Sequence, residues 1–125
     1  MLELVGFYAE LPHGAEGQPR LNDSLGRFTG ETEGILRYLR AAHVMMASTM
    51  PVRDHVDSDG PLIGTLQLMT DGVWVWPGDY PYYVERYGAE IPEALLLHAR
   101  SLNWIPPKID PEKRDIQNEF PLWRE

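Results

Sequence analysis

The sequence predicts an α+β fold: a small antiparallel sheet with a central Asp-Gly hairpin and about three helices packed mainly on one face. Three observations predict it. Asp71-Gly72 stands between two apolar runs, the pattern of a tight hairpin, because glycine supplies the positive φ such turns need. Three segments, Glu31 to Ala42, Tyr80 to Tyr87 and Pro92 to Asn103, carry apolar residues at helical spacing. A length of 125 residues suits one domain. Residues 1–105 form the α+β body, and residues 106–125 form a C-terminal tail with a proline-rich start, draped on it.

Leu2 to Glu10 alternates as a strand does, with Val5, Phe7 and Ala9 on one side and Leu4 and Tyr8 on the other, and Pro12 ends it. From His13 to Phe28 the composition is that of a loop, with Gly14, Gly17, Pro19, Asn22, Asp23 and Gly26. So long a loop in one domain is either a wrapped, packed segment or a functional one. In the first helix Ile35, Leu36 and Leu39 face inward, Thr29 or Thr32 caps the start, and Arg37 and Arg40 suit the C-terminal end of the dipole. Gly34 costs that helix about 1 kcal/mol relative to alanine. His43 to Met50 is short, apolar and followed by Pro51, which favours a buried strand.

Gly64 to Met69 and Val73 to Trp76 make the hairpin. If Thr70 pairs with Val73, Met69 faces Trp74 and Leu68 faces Val75. One face is then Leu66, Leu68, Val73 and Val75, and the other is Gln67, Met69, Trp74 and Trp76. Both are largely apolar, so both need cover. Asp79 is placed to cap the next helix, Pro81 suits its first turn, and Gly88 is its stop. In the last helix Leu95, His98, Ala99 and Leu102 share a face, and Pro106-Pro107 closes it. The tail offers Ile109, Ile116, Phe120, Leu122 and Trp123 as anchors.

The bulk numbers exclude several functions. The chain is 43% hydrophobic and 24% charged, as soluble proteins are. No apolar run approaches the ~18 residues of a membrane span, and Met1-Leu2-Glu3-Leu4 is no signal peptide, so a cytoplasmic protein without a membrane partner is expected. The absence of cysteine removes disulfides and thiolate sites, and it suits a reducing compartment. A net charge of −8 disfavours nucleic acid and favours a basic protein partner.

Motifs for chemistry are sparse. His13, His43, His55 and His98 form no zinc-type pair, no serine lies in a nucleophile elbow, and no glycine-rich phosphate loop occurs. No cofactor and no catalytic residue is assigned. Asp54, Asp57 and Asp59 put three carboxylates in one loop, the best metal candidate. The calcium-loop template nevertheless places His55 at its first position and Leu66 at its twelfth, where carboxylates belong.

The remaining signal is aromatic. Thr70 to Tyr83 holds two of the four tryptophans and three of the six tyrosines. Rings at that density are either core or contact surface. As a surface, the candidate residues are Met69, Trp74, Trp76, Tyr80 and Tyr82.

Thr70-Asp71-Gly72, Trp74, Trp76-Pro77, Asp79, Tyr82-Tyr83-Val84, Tyr87 and Ile91-Pro92-Glu93 together resemble a motif of small bacterial proteins. Some of these resemble immunity proteins of polymorphic toxin systems. Phe7 to Pro12 and Tyr38 to His43 fit the same pattern, with Ile91-Pro92 where that motif has Leu-Pro. The resemblance implies a class of function and no site: a non-enzymatic protein-binding domain, neutralising a basic toxin or effector. Two alternatives stand beside it, a homodimer that buries the hairpin face and a metal-dependent hydrolase built on the Asp54 to Asp59 loop.

Overall fold

The computed structural model describes residues 1–121, so the anchors expected at Leu122 and Trp123 lie outside the described residues. Its strands are β1 (Glu3–Leu4), β2 (His43–Arg53), β3 (Leu62–Thr70) and β4 (Trp74–Pro77). Its helices are α1 (Leu21–Ser24), α2 (Glu33–Ala41), α3 (Tyr80–Tyr87) and α4 (Glu93–Ser101), followed by a single 3-10 turn at Ile116–Glu119. The sheet order is β1-β4-β3-β2. The β2–β3 and β3–β4 pairs are antiparallel, and β1 lies parallel to β4. The α+β fold is the one its periodicities predict.

The hairpin register differs from the simplest two-residue turn. Thr70 pairs with Val75, Met69 with Trp76 and Leu68 with Pro77. Side chains explain the longer turn. Asp71 Oδ1 accepts the amides of Val73 and Trp74 at 2.9 and 2.7 Å. Thr70 Oγ1 accepts the Gly72 amide at 3.0 Å and donates to Trp74 O at 2.7 Å. Gly72 takes the expected positive φ, +93°. A shift of two residues, unlike a shift of one, leaves each side chain on its own face. Met69 and Trp76 therefore still share one face, and Leu68 and Val75 the other.

Each face has its own cover. The first is closed by Ile35, Leu36, Tyr38 and Leu39 of α2, Tyr83 and Val84 of α3, and Leu95 and Ala99 of α4. The second is closed by the chain's two end regions. Leu2, Phe7 and Ala15 meet Ile116 and Phe120 across Leu68 and Val75. The Phe7 and Phe120 rings lie 5.9 Å apart, and the Leu2 amide donates to Glu119 O at 2.9 Å. The residues after Pro106-Pro107 thus supply two of the five side chains that make this cover, Ile116 and Phe120.

The expected strand from Leu2 to Glu10 is cut to two residues. Val5 to Tyr8 is buried throughout and contributes side chains to both clusters, wrapping around the end of β4 instead of running beside it. The segment from His13 to Phe28 is wrapped and packed. Ala15, Leu21 and Ser24 are buried, and the Glu10 carboxylate accepts the Leu21 and Asn22 amides at the start of α1. Among the described residues no helix is long and apolar enough to cross a membrane.

Candidate functional site

Of the two readings of the aromatic segment, core and contact surface, the structure puts most of it in the interior. Trp76 and Tyr80 are 0% exposed and Met69 is 6% exposed. Helix α2 lies over them: Trp76 Nε1–H donates to Leu39 O at 3.2 Å, and its ring sits 6.4 Å from Tyr38. Tyr80 Oη donates to Glu90 O at 2.8 Å. These three residues stabilise the fold and offer nothing to a partner. Trp74 and Tyr82 are half-buried at the core margin. A homodimer through this hairpin face has no bare face to bury, because the chain's own helices occupy it.

Three buried aspartates remain, and their hydrogen bonds separate them. Asp54 belongs to the loop read as a metal candidate, but its carboxylate points inward. Oδ1 accepts the Val56 and Asp57 amides at 2.7 and 2.9 Å, and Oδ2 accepts Tyr82 and Tyr87 hydroxyls at 2.7 and 2.5 Å. Arg86 adds a charge 3.6 Å away. Burial pushes this carboxyl up, yet the Tyr87 hydroxyl, the two amides and the Tyr82 hydroxyl outweigh it and hold it down at about 2. Tyr87 is correspondingly raised to about 12, by burial and then by its bond to Asp54. Asp57 is also engaged, by the Asp59 amide and Arg86. Among the described residues no three His, Asp or Glu side chains form a metal-ligand set. The loop is a structural turn stitched to α3, not three free carboxylates.

Asp71 is satisfied as well. Beyond its two turn amides it accepts the Tyr38 hydroxyl at 2.5 Å, and His98 Nε2 lies 3.8 Å from the same Oδ2. Burial, then the bond to this carboxylate, raises the Tyr38 hydroxyl well above its ordinary range. Outside this cluster the turn opens into a groove of about 380 Å³. Val73, Leu102 and Ile109 give it apolar walls; Lys108, Lys113, Arg114 and His98 ring it, with Asp110 also on the wall. Lys108 and Lys113 are the only lysines in the chain. Arg114 fastens the last segment to the turn, donating to Gly72 O at 2.7 Å and gripping Glu119 through two bonds.

Asp79 is the exception. It occupies the N-cap position of α3 as expected, yet its side chain makes no capping bond. Pro81 lacks an amide hydrogen, which removes one of the donors a cap would use. The carboxylate is 0% exposed and turns to His13, whose own side chain is 7% exposed. His13 Nε2 lies 2.9 Å from Asp79 Oδ2, an ion-pair distance without the alignment of a hydrogen bond, and Asp79 Oδ1 has no hydrogen-bond partner among the described residues. His13 opens onto a cavity of about 230 Å³ walled by Pro12, Met50, Pro51, Val52, Arg53 and His55. Nothing in the spacing of the sequence marks this pair. His13 sits in a glycine-rich loop far along the chain from Asp79, and only the wrapping of the N-terminal segment brings them together.

Strand β2 is a sheet edge, the usual place for strand addition. It is blunted. Register shifts interrupt it between Val44 and Met46 and between Ala47 and Pro51, Pro51 removes a donor, and Gln117 Nε2 covers Met45 O at 3.0 Å.

The chain matches no protein-family model, no curated protein and no solved structure.

Proposed function

We propose that the chain is a non-enzymatic protein-binding domain whose contact surface is the groove at the hairpin tip. The observation that carries this reading is the placement of both of the chain's lysines, Lys108 and Lys113, around the apolar walls of one groove, on a protein of net charge −8. Val73, 45% exposed at the very tip, gives a partner side chain something apolar to cover. An acidic segment bearing one large apolar side chain suits the groove, since near-surface charges act within about 8 Å at physiological salt.

The far field favours the opposite sign. A partner that is basic overall and presents an acidic loop to the groove meets both demands, and an immunity-like role against a basic toxin or effector is consistent with that pairing. The lack of cysteine supports a cytoplasmic location for the encounter.

The experiment is paired affinity capture with wild type and a Lys108→Glu, Lys113→Glu, Val73→Asp variant, both checked by circular dichroism. A partner held by wild type and lost by the folded variant is the expected result. A partner retained by both removes the groove from the interface.

A further inference from the structure

We propose that the cavity beside His13 is a binding site for a small organic carboxylate. Its chemistry begins with Asp79. A fully buried carboxylate costs several kcal/mol unless it is paired and hydrogen-bonded, and among the described residues His13 is its one ion-pair partner, 2.9 Å away. A buried carboxylate holding one ring nitrogen of a histidine fixes the ring and leaves the other nitrogen for a ligand. His13 presents Nε2 to Asp79 at ion-pair distance, and its ring also borders the cavity.

The cavity walls decide the class of anion. Asp79 is turned to His13, so the cation a ligand meets at the cavity is Arg53, with His55 beside it. The Arg53 guanidinium spends one N–H on Gly60 O at 3.1 Å and keeps the others. One cation in excess suits a monovalent anion. The rest of the wall is Pro12, Met50, Pro51 and Val52, which would be wasted on a hydrated inorganic ion and suits a short hydrocarbon body. A volume of about 230 Å³ has room for a ligand of several heavy atoms and not for a large cofactor.

The test is a titration of the ¹⁵N-labelled protein with butyrate, followed by amide shifts, with butyramide and inorganic phosphate as comparison arms. Saturable shifts at His13, Arg53 and His55 with butyrate alone are the expected result. No saturation with butyrate, an equal response to butyramide, or a response to phosphate as tight as to butyrate would overturn the proposal. Arg53→Gln, at an exposed position, is expected to weaken butyrate about tenfold, the loss of one charged hydrogen bond. His13→Gln should abolish the shifts; should that variant fail to fold, Arg53→Gln decides alone, and an unchanged Kd there refutes the recognition.

Discussion

Tyr38 and Asp71 are bonded across the core, hydroxyl to carboxylate at 2.5 Å, and this bond joins α2 to the turn that sets the hairpin register. Asp71 Oδ1 holds the turn amides while Oδ2 holds Tyr38. One side chain therefore fixes both the local geometry of the turn and its distance from the helix layer. Removing the tyrosine oxygen leaves a buried carboxylate short of a donor. We expect Tyr38→Phe to destabilise the fold by about 1–3 kcal/mol, more than its small volume change explains. Urea unfolding of wild type and variant measures it. A midpoint unchanged by Tyr38→Phe would mean that His98 or water replaces the hydroxyl.

Acid should weaken the fold through Asp54. Its carboxyl lies at about 2 in the folded protein against an ordinary 3.8, so the folded state binds that proton less readily than the unfolded chain. The resulting stabilisation is complete above the unfolded value and is lost as pH falls from about 4 toward about 2. Asp54→Asn should be markedly less stable than wild type near neutral pH, and the gap should narrow progressively below about pH 4. Urea midpoints across that range test it; a gap that stays constant with pH would assign the loss to shape and not to charge.

Gly34 sets two effects against each other. Alanine in the interior of a helix is worth about 1 kcal/mol over glycine. A Cβ at this position would, however, lie 2.7 Å from Cδ2 and Cε2 of the Trp104 ring, which Arg100 covers from 5.8 Å. The indole has to move for the methyl to fit. Gly34 is the second residue of α2, so we expect Gly34→Ala to lower stability in the native chain and to raise it by a fraction of about 1 kcal/mol in a Trp104→Ala background. The double-mutant cycle, read by thermal unfolding, gives the sign directly. Stabilisation in both backgrounds would show that the ring yields freely.

What could be read from the sequence was local. Tyr80 to Tyr87 is bounded by Asp79 and Gly88, residues whose backbone preferences act within one turn, and the helix has those limits. The Asp-Gly dipeptide announces a hairpin by the same local logic. The exact register was decided by Thr70 and Asp71 side chains competing for the turn amides, which periodicity does not weigh. Burial of Trp76 depended on α2 crossing the sheet, a long-range event. The same holds for His13 and Asp79, whose pairing has no trace in spacing. The aromatic segment reads equally as core or as surface because it holds more rings than one layer needs; the sheet carries two layers, and the second is built partly from residues whose composition is that of a tail.

That second layer has a consequence for the order of synthesis. Every strand is made before Ile116 and Phe120, so until those two arrive Leu68 and Val75 have only Leu2, Phe7 and Ala15 to cover them on that face. The helix side can close early, while the other side waits for the last segment to arrive and for Arg114 to take hold of Gly72 and Glu119. Until then the intermediate is a half-dressed sheet. A reading frame broken just before Ile116 would keep all four strands and all four helices and still release a sticky molecule. Whether this sheet is presentable or sticky therefore hangs on the short stretch that carries Ile116 and Phe120.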